Sequence, residues 1–211
     1  VHHVDDYTMI SGKRSQCHNE ANEYTYRLED FDGNEVRLVV RLYNDGLAFR
    51  YETEALEGEV VTGEHTRYAF ADGIKRWTQP YAVGYEDSYF PNTDGVAHNR
   101  RRHWNLPALF QPGDDTYVLL AEANVLRDQC GAYLSNREDA STYEVKLVDE
   151  QFICPAEWKS PWRLAIVGSL ADVVESTVVT DVSDHCRLED TSWIKPGVVS
   201  WVYWAHNHGS Q

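Results

Sequence analysis

Residues 31–46 constrain the fold more tightly than any other stretch. The run Glu35–Tyr43 (EVRLVVRLY), rich in β-branched and aliphatic residues, stands between two turn signals, Asp32-Gly33 and Asn44-Asp45-Gly46. Asp-Gly and Asn-rich turns between such runs read as antiparallel hairpins, because these residues tolerate the positive φ that tight turns demand. Looser alternation over residues 24–28 and 47–53 supplies the partners. The reading is a three-strand antiparallel meander over residues 24–53.

More strands are expected further on. Residues 60–70 offer one or two, closed by Ala71-Asp72-Gly73, and others are expected at 116–122, 132–134, 142–147 and 162–168. Leu170, Val173 and Val174 recur at helical spacing, so residues 170–177 read as one or two helical turns. No long amphipathic helix is visible. Residues 80–113 are punctuated by Gly84, Pro91, Pro107 and Pro112-Gly113 without a clean period, and read as one long irregular excursion. Such excursions often carry function.

Near the end, a Lys-Pro-Gly turn at residues 195–197 leads into VVSWVYWA, an almost wholly apolar run over residues 198–205. A strand buried on both faces looks like this, as in a parallel sheet or barrel. Such a strand needs neighbours, and the sequence stops at Gln211. The expectation is a piece of a longer polypeptide, with a β domain over residues 1–190 and a linker plus first barrel strand over 191–211.

Composition excludes several classes. The formal charge of −15 argues against nucleic acid or an anionic membrane as the main partner. Seven Trp, thirteen Tyr and six Phe supply too much apolar surface for a disordered acidic tail. The apolar runs fall short of the roughly 20 residues that span a bilayer. Cys17, Cys130, Cys154 and Cys186 lie far apart, which disfavours zinc and leaves free thiols or disulfides open. The chain opens on Val1 rather than Met, and its compartment cannot be read from the residues. No G-x-G-x-x-G, phosphate loop or G-x-S-x-G is present, so no nucleotide cofactor is indicated.

Three places carry candidate chemistry. Trp77, Tyr81, Tyr85, Glu86, Asp87, Tyr89 and Phe90 set two adjacent carboxylates among aromatics at the start of the excursion. Carboxylates are hard ligands suited to calcium, and aromatic faces pack on the C–H faces of sugars. The competing reading is an ordinary acidic loop tethered by its rings. His206 and His208 follow the apolar strand, where barrel strands deliver side chains to an active-site mouth. They suit either a metal-dependent amidohydrolase-type barrel or a group that only touches substrate. Arg163 can pair with a buried carboxylate such as Glu122, a structural reading. Glu64 and His65 are read as polar residues near a strand start.

Several strings together resemble one family. Tyr7, Gly12 and Asn22-Glu23, then RLYNDGLAFRYE (residues 41–52), AEANVL (121–126), SPWR (160–163), SWIKPG (192–197) and WVYW (201–204) occur in the order found in family 97 glycoside hydrolases. These are calcium-dependent α-glucosidases and α-galactosidases. The resemblance implies a mostly β chain: a β-supersandwich of the galactose-mutarotase type, incomplete at its N-terminus and followed by the start of a (β/α)8 barrel. It also implies Ca2+ held mostly by barrel glutamates, plus one glutamate lent by the sandwich nine residues after a tryptophan. Glu86 stands nine residues after Trp77 and inherits that role, although Asp87-Ser88-Tyr89 replaces the common Tyr-Asp-Tyr run.

The implied substrate is an oligosaccharide or α-glycoside, with His206, Asn207 and His208 near it. The implied partner is the barrel of the same polypeptide, in a periplasmic or extracellular setting. No acid, base or nucleophile is assigned within these residues, and the piece alone is expected to be inactive. The rival is a non-catalytic carbohydrate-binding module using Trp77, Trp104 or the tyrosines near Glu86.

Overall fold

A computed structural model describes residues 1–92, 101–126 and 129–198. It begins with a four-strand antiparallel meander, β1 (His2–Thr8), β2 (Gln16–Glu29), β3 (Glu35–Tyr43) and β4 (Gly46–Thr53). Asp30 builds the β2–β3 turn. Its carboxylate accepts the backbone N–H of Asp32 and Asn34 at 2.8 and 2.9 Å, and Gly33 takes φ 86°. Gly46 is required for a different reason. A Cβ there would lie 2.5 Å from the Ala165 carbonyl oxygen of the neighbouring strand.

Short strands follow: β5 (Val60–Val61), β6 (Arg67–Ala69), β7 (Lys75–Thr78), β8 (Phe90–Asn92) and β9 (His103–Trp104). Next come β10 (Ala108–Gly113), β11 (Thr116–Ala123), β12 (Ala132–Ser135) and β13 (Thr142–Leu147). The last are β14 (Phe152–Ile153), β15 (Trp158–Lys159) and β16 (Trp162–Gly168), then helices α1 (Leu170–Glu175) and α2 (Val178–Asp181). Ten strands form one sheet in the order β1-β2-β3-β4-β16-β11-β10-β7-β8, with β15 also on β4. A second sheet runs β6-β13-β12-β9, and β5 pairs with β14 separately.

Alternation along the strands sends side chains to two cores. Leu120, Ala165, Ala108 and Phe110 meet Trp104, Leu134, Tyr143 and Val145 of the second sheet. On the opposite face Ala121, Ala123, Trp162, Leu164 and Ile166 pack under Val173, Val178 and Val182 of the helical segment. Helix α1 starts on a reciprocal cap: Asp172 N–H donates to Ser169 Oγ, and Ser169 N–H donates to the Asp172 carboxylate. The molecule is therefore a mostly β sandwich with short helices only near its C-terminal end. Among the described residues no helix is long and apolar enough to cross a membrane.

The second sheet does not reach the β2–β3 wing. Tyr24, Tyr26 and Leu28 lie opposite Val40, Leu38 and Val36 on one face, and the three β2 side chains are 48–54% exposed. The reverse face is covered mainly over the first half of β2, where Cys17, Asn19 and Ala21 are buried, with Val39 and Ala48 on β3 and β4, while Thr25 and Arg27 are exposed.

The structure corrects the reading of residues 80–113 as wholly irregular. β10 is a full strand between β7 and β11, with Ala108 and Phe110 completely buried. Its disguise is proline. Pro107 precedes it, and Pro112 falls at the register shift between Phe110 and Gly113, a place where a missing N–H costs no ladder bond. All four cysteines are free: Cys17 and Cys154 buried, Cys130 half-buried, Cys186 exposed. The apolar run beyond Val198, with His206, Asn207 and His208, lies outside the described residues.

Candidate functional site

The loop between β7 and β8, residues 79–89, brings the aromatic-acidic cluster together. Pairing of Thr78 with Phe90 closes its base. A bridge from Pro80 to Trp104 and a 2.8 Å bond from Tyr81 N–H to the His103 carbonyl tie it to the edge of the second sheet. The ring of Tyr81 lies 4.5 Å from that of Tyr133, which also meets His103 at 4.9 Å. The Tyr89 hydroxyl donates to the Pro107 carbonyl at 3.2 Å. Trp77 sits half-buried on β7, its ring 6.2 Å from Tyr117.

Glu86 is exposed near the tip of this loop, and its carboxylate makes no hydrogen bond or ion pair with the described residues. Tyr85 before it adopts φ 54°, a left-handed conformation that costs a bulky residue about 1–3 kcal/mol. Burial, then the nearby Glu122 carboxylate, pushes the Tyr85 phenol above its usual pKa. Asp87 is also exposed, and its carboxylate accepts the Ser88 N–H at 2.8 Å.

Beneath the tip lie two amides that sequence reading missed. Gln79 is 3% and Asn105 0% exposed. Asn105 Nδ2 donates to Gln79 Oε1 at 2.6 Å, and Asn105 N–H donates to the Gln79 carbonyl at 2.9 Å. Gln79 Nε2 in turn donates to the carbonyls of Tyr85, at 3.5 Å, and Asp87. No motif announces them, since they are ordinary amides brought together only by the fold.

The electrostatic centre of the sandwich is Arg163, 1% exposed. It donates to Glu122 at 2.7 Å across the β11–β16 ladder and grips Glu64 with Nε and Nη2, the shorter bond 2.6 Å. Glu64 is thus half of a buried clamp rather than a bystander at a strand start. Burial pushes the Glu122 carboxyl up despite the neighbouring guanidinium. Trp162 beside it is flanked by the guanidiniums of Arg50 at 4.4 Å and Arg41 at 4.9 Å from its ring centroid.

Calcium takes six to eight oxygen ligands. Among the described residues no three His, Cys, Asp or Glu side chains converge on a metal site. An exposed, unpaired carboxylate on a braced loop fits one ligand of a shared ion, and does not amount to a complete site. The geometry also corrects the binding-module reading in part. Trp104 is fully buried and donates its indole N–H to Asn136 Oδ1 at 2.8 Å, so it offers no face to a sugar.

The family profile described as "Glycosyl-hydrolase 97 N-terminal" matches residues 1–184. The chain belongs to glycoside hydrolase family 97. This family 97 chain is 31% identical over 202 residues to a "Probable retaining alpha-galactosidase" of Streptomyces bingchenggensis, covering 96% of the chain and 31% of the relative. It is 26% identical over 227 residues to the "Retaining alpha-galactosidase" of Bacteroides thetaiotaomicron, covering 91% and 33%. The chain therefore spans about a third of the length of these relatives.

Among solved structures, a family 97 enzyme from Pseudoalteromonas sp. strain K8 in complex with acarbose superposes with a TM-score of 0.81 at 22% identity. That match covers 93% of this chain and 31% of the other. A beta-arabinopyranosidase matches with a TM-score of 0.73 at 27% identity, covering 86% and 33%.

Proposed function

We propose that residues 1–190 are the sandwich domain of a retaining family 97 glycosidase acting on α-galactosides, with residues 191–211 leading into its catalytic barrel. The observation that carries this reading is the match of nearly the whole chain to two relatives named as retaining α-galactosidases. Retention calls for two carboxylates about 5–5.5 Å apart, one attacking the anomeric carbon and one protonating the leaving oxygen. Both are assigned to the barrel, outside residues 1–211, and the 211-residue piece alone is inactive.

The contribution of this chain is Glu86. Its exposed carboxylate, on a loop pinned to both sheets, is suited to reach across to calcium held mainly by barrel glutamates. Bound there, calcium supplies charge that orients substrate and stabilises the leaving group. Glu86 lends one oxygen ligand, and its loop holds that oxygen in place. His206, Asn207 and His208 are assigned to the substrate-facing end of the first barrel strand. A protein of this kind works outside the cytoplasm, in the periplasm or beyond.

The test uses the full-length protein with p-nitrophenyl α-galactoside and α-glucoside, following the first-formed sugar anomer by proton NMR. The expected outcome is faster cleavage of the galactoside, α-galactose appearing first, and loss of activity in a calcium chelator. Preference for the glucoside, or β-anomer first, would overturn the assignment.

A further inference from the structure

We infer that the buried Gln79–Asn105 amide pair is a positioning device for the Glu86 carboxylate, setting calcium affinity without touching the ion. This rests on the reading of Glu86 as a calcium ligand.

The pair is not needed to fasten the loop. The base of the loop is already closed by Thr78–Phe90 pairing, the Pro80–Trp104 bridge and the Tyr81–His103 backbone bond. Stitching the loop to the sandwich therefore needs no buried amides. Burying two of them carries a desolvation cost that only good hydrogen bonds offset.

Those bonds have a specific target. The two N–H groups of Gln79 Nε2 go to the carbonyls of Tyr85 and Asp87, the residues on either side of Glu86. Asn105 fixes which way the Gln79 amide faces, because its Nδ2 occupies the Gln79 oxygen at 2.6 Å. Asn105 Oδ1 also accepts the Ala82 N–H at 3.4 Å, earlier in the same loop. The peptide plane before Glu86 and the one after Asp87 are thus held from beneath, bracketing the residue, and the left-handed Tyr85 is held with them. A carboxylate ordered in advance loses less freedom on binding a cation. Groups that order a metal ligand without touching the ion tune affinity by about 10- to 100-fold, and here they act through the backbone on either side of the ligand.

The experiment measures calcium affinity of the full-length protein by isothermal titration calorimetry, with melting temperatures taken in chelator. Gln79→Met keeps the volume and removes the donors. Asn105→Asp keeps the shape but presents oxygen to Gln79 Oε1, so the Gln79 amide turns and faces its own oxygen toward the two carbonyls. Each variant is expected to weaken calcium binding by about 10- to 100-fold, with kcat restored by excess calcium. Combining Gln79→Met with Glu86→Gln should weaken binding no further than Glu86→Gln alone.

Variants that lower the melting temperature in chelator but leave calcium affinity unchanged would make the pair purely structural and overturn the inference. If Gln79→Met does not fold, Asn105→Asp decides. A Glu86→Gln variant with unaltered calcium affinity would remove the Glu86 reading and this inference together. Weakening by Glu86→Gln but not by the amide variants would overturn the inference alone.

Discussion

Along β16 and β11 successive side chains enter two different cores, Leu164 and Ile166 under the helices and Ala165 and Leu120 against the second sheet. Along β2 burial alternates only over the first half, and from Tyr24 onward both faces of the strand are exposed. Cys17, Asn19 and Ala21 are buried, whereas Tyr24, Tyr26 and Leu28 stand about half exposed. The backbone ladders are equivalent in the two regions, so the difference lies in what the side chains meet. A row of tyrosines and leucines facing water gains little from burial and marks a surface suited to association.

The comparison can be broken by mutation, and the largest effect belongs to the covered region. Arg163→Met leaves Glu64 and Glu122 buried without their cation, an expected loss of about 3–5 kcal/mol at neutral pH by urea unfolding. Burial already raises the Glu122 carboxyl, and losing the guanidinium removes the main influence that opposes it. The defect should therefore be smallest in acid and grow as pH rises through the raised Glu122 pKa. A loss that does not depend on pH would refute the electrostatic account of this clamp.

Phe110→Ala, in the fully buried centre, should cost about 3–5 kcal/mol. Tyr26→Ala on the bare wing should stay within about 0.5 kcal/mol in the isolated 211-residue chain. Equal costs at the two positions would erase the distinction between the regions.

A smaller effect is expected at Glu144, which His65, Arg67 and Lys146 surround at 2.9, 3.6 and 2.8 Å. The Lys146 hydrogen bond, with His65 and Arg67 adding to it, holds the Glu144 carboxyl below its usual pKa. A lowered folded pKa means stability present above the unfolded value and lost as pH falls through the folded one. Glu144→Gln should thus cost about 0.5–1 kcal/mol at pH 7 and nothing once pH has fallen below the lowered Glu144 pKa. A cost that persists in acid would point to packing instead.

The sequence made the covered region legible and left the rest obscure. The expected runs at 142–147 and 162–168 coincide with β13 and β16, because β13 alternates Tyr143, Val145 and Leu147 with polar residues and β16 is apolar over most of its length. β1 and the first half of β2 escaped notice. HHVDDYT and QCHNEANE hold few apolar residues, and their exposed face is built from polar pairs such as His18 to Asp6 at 2.7 Å. What defines those strands is ladder pairing, which side-chain periodicity does not report.

The candidate site divides in the same way. Glu86 stands out through a spacing from Trp77 that has meaning only within a family, and its role is a proposal. Gln79 and Asn105 left no trace, because a contact between residues 26 positions apart arises only after the fold forms.

The most direct measurement is a crystal structure of the full-length protein grown with calcium. The account requires a Glu86 carboxylate oxygen about 2.3–2.6 Å from the ion, with the remaining protein ligands on the barrel. A calcium ion fully liganded without Glu86, or a β7–β8 loop turned away from the barrel, would contradict it.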